Sequence, residues 1–307
     1  MRMFGMFSSV FLLGGLSLAP ISQTRLASEG GPYNTRSESI RRPSAVAVKT
    51  ARLADAPPQS FLGFDRNEYP GDGALPSLRK SFSFASYWLG VPPGSKGNSW
   101  TGKRALLQSQ GFGFLLLFNG RTSAQVRNPE LAEQAGLEDA QSASAAARQE
   151  GFPEGSVIFL DQEEGGRYSP EQHLYLHMWA EELEKAHFRP GIYCSGIPVD
   201  EGGGSHITTA EDIRAHIVDA SVVYWVYNDA CPPSPGCETG KKLPAPSESG
   251  VAYAEVWQFV RSPKEKKVAR HCRGYASDGN CYAPADTKHE WFLDMNVATM
   301  TNPSAPR

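Results

Sequence analysis

The residues best placed to do chemistry are two acids in the run VIFLDQEEGG, Asp161 and Glu163. An apolar run of this kind reads as a buried strand. Residues two apart on a strand face the same way, so Asp161 and Glu163 are expected to point together into one pocket while Gln162 points aside. Two carboxyls on one side of a pocket is what glycosidic cleavage needs: one protonated as general acid, the other ionised to stabilise the charge of an oxocarbenium-like transition state. Acids after a strand also solvate loops or cap the next helix, and Glu164 is assigned that role. Gly165 and Gly166 let the chain turn away and keep the mouth open.

Three further runs deliver acids or aromatics in the same way. FLGF ends at Asp65, WVY runs into Asn228 and Asp229, and WFL ends at Asp294. Asp65 is read as a further pocket acid; for Asp65, Asp294 and Asn296 a turn-forming role is the alternative. Sugar rings present apolar faces that stack on indole and phenol, and Trp225, Tyr227 and Trp257 stand out because polar Asn228 and Gln258 lie beside them. Core packing is the competing role for such aromatics.

The elements needed to position these groups alternate down the chain. Strands are expected at 61–64, 83–89, 113–118, 157–161, 191–194, 222–227, 255–260 and 291–295, with helices at 100–110, 129–150, 170–187 and 209–219. Alternating strands and helices over close to the roughly 250 residues typical of the fold predict an α/β protein, a (β/α)8 TIM-type barrel of parallel strands, with sites at the strands' C-terminal ends. The last helices are expected to be degenerate, because Pro, Gly and Cys displace helical periodicity after Tyr227. An open doubly wound sheet is the competing arrangement. Ser169, Pro170 and Glu171 form a helix start: a capping hydroxyl, proline in the first turn and an early acid.

Other chemistries find no support. His173 and His177 are four apart, but HLYLH lacks the acid that a helical zinc motif needs. Neither a phosphate-binding glycine loop nor a G-x-S-x-G elbow is present. No metal or other cofactor is expected. The chain has 307 residues, 40% hydrophobic and 21% charged, with a net charge of −3 and no long basic run, which argues against nucleic-acid or anionic-membrane partners.

The apolar run from Met3 to Ala19 has the layout of a secretory signal, so 1–22 is expected to be removed on export. The mature protein would then be secreted, extracellular or in the cell envelope, and not held in a membrane. Residues 23–58 are rich in Ser, Arg, Ala and Pro and read as a flexible linker, leaving 59–307 as the folded barrel. Among five cysteines, the local pairs Cys231–Cys237 and Cys272–Cys281 are favoured as disulfides over the other two connectivities, with Cys194 free and buried.

Taken together, GFDRNEYPG, IFLDQEEGG, RPGIYCSG, YWVYND, EVWQFV and FLDMN resemble the secreted glycoside-hydrolase-like domain. That family is similar to the family 25 muramidases, barrel enzymes that cut the glycan of bacterial peptidoglycan. The resemblance runs from about Phe61 to Asn296. It implies that Glu163 is the general acid and that Asp161 is its partner, steadying charge or the substrate's N-acetyl group. It also implies that Asp65 is the first-strand acid and that Trp257 and Gln258 belong to an aromatic wall. The muramidases place another functional acid near the sixth strand, for which Asp229 is the match here. The implied protein is a monomer that hydrolyses β-linked N-acetylated glycan such as peptidoglycan; the alternative is a non-catalytic glycan-binding barrel of the cell envelope.

Overall fold

The computed structural model describes residues 59–217, 221–229, 243–260 and 293–307, all within the unit Arg52–Arg307. The expected signal segment, the linker, both cysteine pairs and the start of the last expected strand lie outside these residues.

Eight strands close into a barrel: β1 (Phe61–Asp65), β2 (Phe84–Trp88), β3 (Gly113–Asn119), β4 (Val157–Asp161), β5 (Arg189–Ser195), β8 (Val223–Tyr227), β9 (Val256–Val260) and β10 (Asp294–Ala298). A two-stranded hairpin, β6 (Val199–Gly202) with β7 (Ser205–Ile207), follows β5 and has no counterpart among the expected elements; its turn carries Gly203 and Gly204. Helices α1 (Leu75–Leu78), α2 (Arg104–Ser109), α3 (Pro129–Gln149), α4 (Pro170–Lys185) and α5 (Thr209–His216) follow β1, β2, β3, β4 and β7. None of the described helices is long and apolar enough to cross a membrane.

The barrel is mixed where an all-parallel one was expected. β1, β2, β3, β4, β5, β8 and β9 pair in parallel, but β10 runs antiparallel to both its neighbours, β9 and β1. The cause is where the chain re-enters. β9 ends at the mouth, and β10 starts there, with Asp294 opposite Asp65. A strand that starts at the mouth must run down to the floor, whereas a crossover helix would have carried the chain to the other end first. Asp294 therefore opens a strand, yet it still lies at the mouth.

Helix starts follow the sequence signals. Ser169 caps α4 in a reciprocal box with Gln172, and Pro170 occupies the first turn. Asn128 caps α3 through Leu131 N–H. The interior is filled by aromatics laid over glycines. A Cβ on Gly63 would meet the Phe84 ring at 2.0 Å, and one on Gly191 the Phe159 ring at 2.6 Å, so both rings can cross the barrel only because those glycines carry no side chain. Phe84 and Phe159 are wholly buried, and this dry floor forces polar side chains up to the mouth.

Candidate active site

At the C-terminal ends of the parallel strands lies a cavity of about 370 Å³ lined by Asp65, Asp161, Glu163 and Asp294, with Trp88, Tyr193, Trp225 and Gln258 in its wall. Glu68 adds a fifth acid, and Arg66 is the one cation among the described lining residues. A smaller cavity of about 140 Å³ shares Asp161, Glu163 and Pro93 with the first, so Glu163 stands where two hollows meet.

Asp161 is the last residue of β4 and is buried. Glu163 lies beyond the strand, so the loop places it, and strand alternation does not. Tyr227 O–H donates to the Glu163 carbonyl at 2.9 Å, and Tyr168 O–H donates to the Glu164 carbonyl at 3.0 Å. Gln162 is buried, its N–H donating to the Tyr193 carbonyl at 2.9 Å. The Glu163 side chain itself is exposed to the mouth. Asp65, by contrast, is half-buried.

Asp65 ends β1 and accepts two hydrogen bonds on Oδ1, from Asn296 Nδ2 at 2.7 Å and from Gln258 Nε2 at 3.0 Å. Burial pushes its carboxyl up to about 6 from 3.8; the Asn296 and Gln258 amides pull it part of the way back, and the charge of Glu163 adds a small upward push. Tyr193 is held firmly in its protonated form by burial first, then by the charges of Asp65, Asp161, Asp294 and Glu163 around it.

The other expected residues divide. Trp225 lines the cavity, and its indole N–H donates to Asn296 Oδ1 at 2.9 Å. Tyr227 is outside the lining, its hydroxyl spent on the Glu163 backbone. Trp257 is corrected: the pleat that sends Gln258 inward sends Trp257 outward, where its N–H donates to the Asn228 carbonyl at 2.9 Å. Asp229 is buried beyond β8 and does not line the cavity. Glu164 accepts from Ser123 N–H and Oγ–H, each at 2.9 Å, and from Gln172 Nε2 at 2.7 Å, tying the loop after β3 to the start of α4.

Sequence reasoning leaves Asn296 as one turn candidate among several and does not single out Tyr193 or Trp88. The signal for Asn296 is its spacing: two residues after Asp294 on a strand, it shares the inward face.

Among the described residues one group could hold a metal, His173, Asp212 and His216 on α4 and α5. The two imidazoles stack with centroids 3.7 Å apart and planes 14° from parallel. A metal must lie in the plane of each ligating ring, and two nearly parallel planes this far apart offer no common point within about 2.1 Å of both nitrogens. Asp212 is also already occupied: it accepts from Tyr168 N–H at 2.9 Å, meets His173 Nε2 at 2.7 Å and meets Arg167 Nη1 at 3.3 Å. His177 turns elsewhere, towards Glu181.

With this geometry in place, the match to known proteins falls on the same elements. Residues 101–229 match the model of the Rv2525c-like, glycoside hydrolase-like domain. The matched stretch contains Asp161, Glu163, Tyr193, Trp225 and Tyr227. None of the curated proteins matches the chain. Among solved structures, an uncharacterized protein from B. stearothermophilus is 18% identical with a TM-score of 0.50, covering 78% of this chain and 95% of its own. The spore cortex lytic enzyme SleM from Clostridium perfringens is 14% identical (TM-score 0.48; 80% of this chain, 68% of its own). A family 25 glycosyl hydrolase from Bacillus anthracis is 12% identical (TM-score 0.40; 78% and 88%). At 18% identity the likeness to the B. stearothermophilus protein is one of fold alone.

Proposed function

We propose that the protein is a secreted hydrolase of β-linked, N-acetylated glycan such as peptidoglycan. The observation that carries this reading is the convergence of Asp65, Asp161 and Glu163 on one open cavity with aromatic walls. The resemblance of IFLDQEEGG and its companion motifs to the glycoside-hydrolase-like domain, a family similar to the muramidases, supports the substrate class, and the apolar run from Met3 to Ala19 supports export.

Glu163 is the general acid in this scheme. It reaches into the mouth from a loop whose backbone is tied by Tyr227 and Tyr168, where the leaving oxygen of a glycan laid across both hollows arrives. A bound glycan displaces water from around that carboxyl and brings the leaving oxygen within its reach. Asp161, fixed at the strand end, steadies the positive charge that develops on the sugar or on its N-acetyl group. Asp65 lies with them at the mouth, clamped by two amides.

The test is incubation of the purified protein with peptidoglycan and with chitin oligomers, followed by mass analysis. New reducing ends are the expected result. Binding without products overturns the hydrolase reading in favour of a glycan-binding barrel.

A further inference from the structure

Asp65 is oriented by its neighbours, and the chain of partners has a direction. An indole N–H is only a donor, so Trp225 Nε1, 2.9 Å from Asn296 Oδ1, fixes which way the Asn296 amide points. The nitrogen of that amide must then face Asp65 Oδ1, at 2.7 Å. On the other side Tyr193 O–H donates to Gln258 Oε1 at 2.8 Å, which turns Gln258 Nε2 towards the same Asp65 oxygen at 3.0 Å. Trp225, Asn296, Gln258 and Tyr193 are all buried, so water does not compete for these bonds. Among the described residues no side chain bonds to Asp65 Oδ2, and Asp65 lines the cavity.

We infer that Asn296 and Gln258, keyed by Trp225 and Tyr193, are positioning residues that hold Asp65 Oδ1 against the barrel wall and leave Oδ2 to meet the substrate. The inference deepens the proposed glycan site and rests on it for any effect on turnover, but the effect on Asp65 needs no substrate. Trp225 thereby acts in two ways, its ring forming wall while its edge sets an amide. The charged groups that share the cavity with Asp65 are Glu163, Asp161, Asp294 and Glu68, with Arg66 as the cation, and none is altered by changing the amides.

Each amide stabilises ionised Asp65, so removing one leaves the proton more tightly held. The experiment is carboxyl NMR titration of the full chain with labelled aspartate, Asp65 being assigned by its loss in Asp65→Asn. Asn296→Leu is expected to move the Asp65 midpoint upward. Trp225→Phe keeps an aromatic ring but frees the Asn296 amide to rotate, and is expected to give a smaller shift of the same sign. With chitin oligomers or peptidoglycan as the probe, the limb of the kcat profile that reports Asp65 moves with it. At fixed pH kcat falls roughly tenfold while KM changes little. An unmoved Asp65 titration in variants that melt like the parent overturns the inference, and if Asn296→Leu does not fold, Trp225→Phe decides alone. A shifted titration in a protein that cleaves neither probe upholds the positioning and overturns the hydrolase reading instead.

Discussion

Two groups of acids sit one loop apart and are treated in opposite ways. On the flank, Asp212 is almost fully enclosed by Arg167, His173, His216 and the Tyr168 N–H. Burial alone would raise its pKa, but the Tyr168 N–H and the histidines outweigh burial, and the net effect is a lowered value. At the mouth, Asp65 keeps only neutral amides against its burial, and its pKa is raised to about 6. A carboxylate whose charge is met on every side is held for structure; one left under-compensated beside an open cavity is poised to exchange a proton. The Asp212 cluster also serves the mouth. It grips Tyr168 N–H while Thr209 O–H donates to the Gly166 carbonyl at 3.0 Å, so both ends of the turn that follows Glu163 and Glu164 are anchored.

The sharpest test of that division is the largest effect. Glu163→Gln keeps the shape and removes the transferable proton, so turnover of peptidoglycan or chitin oligomers is expected to fall about 10²–10⁴-fold. Asp161→Asn is expected to be comparably severe, because developing charge loses its partner. Both variants should melt close to the parent. A large loss of thermal stability in Glu163→Gln would place that residue with the structural acids and break the comparison.

Asp212→Asn should show the reverse pattern. Hydrogen bonds to charged groups contribute about 1.5–3 kcal/mol each, and here Arg167 and His173 are left facing an uncharged amide. A lowered melting temperature is expected, by about 2–4 °C for each kcal/mol lost, with a smaller fall in turnover than in Glu163→Gln. Melting followed by circular dichroism beside a product assay measures both.

How far the sequence exposed this division can be argued residue by residue. Apolar strands ending in acids located the barrel, the mouth, Asp65 and Asp161, because strand period and strand ends are local features, whereas Glu163 reaches the mouth from the loop beyond β4 and not by the strand alternation expected of it. The direction of β10 was hidden, since it depends on where the chain re-enters the sheet and not on any residue within 294–298. Trp257 was misplaced for a related reason: being aromatic near a strand end says nothing about which face of the pleat it takes, and the inward Gln258 beside it settles that. The Asp212 cluster joins α4 to α5 across 39 residues from His173, a pairing that neither helix announces alone.

A pH series sharpens the contrast from the other side. Asp65 binds its proton more tightly folded than unfolded, so the folded state carries more protons between pH 3.8 and about 6. Stability from this group is therefore present below that window and is lost as pH rises through it. Asp65→Asn carries no charge to bury and still offers an oxygen to Asn296 and Gln258. Relative to the parent it should gain melting temperature at pH 8, and the gain should shrink towards pH 4. No dependence on pH in that difference would mean that the two amides fully offset burial at Asp65, and a difference of reversed sign would place Asp65 with Asp212.

Glu164→Gln is the smallest expected effect and tests the boundary between the two kinds of acid most finely. Glu164 is adjacent to Glu163 in the chain, but it accepts from Ser123 twice and from Gln172 once. The substituted amide keeps one oxygen to accept from Ser123 N–H and Gln172 and can turn its N–H towards Ser123 Oγ, so mainly the charge assistance of these bonds is lost, about 1 kcal/mol. Its backbone carbonyl still accepts from Tyr168, so the turn that carries Glu163 keeps its anchor. Turnover should consequently stay within about threefold of the parent, against the 10²–10⁴-fold expected one residue earlier. Product formation by both variants, measured side by side on one substrate, gives the ratio directly. If Glu164→Gln proves the more damaging of the two, the smaller hollow beside Arg121 and Thr122 is the place of chemistry, and the roles of the two neighbouring glutamates are reversed.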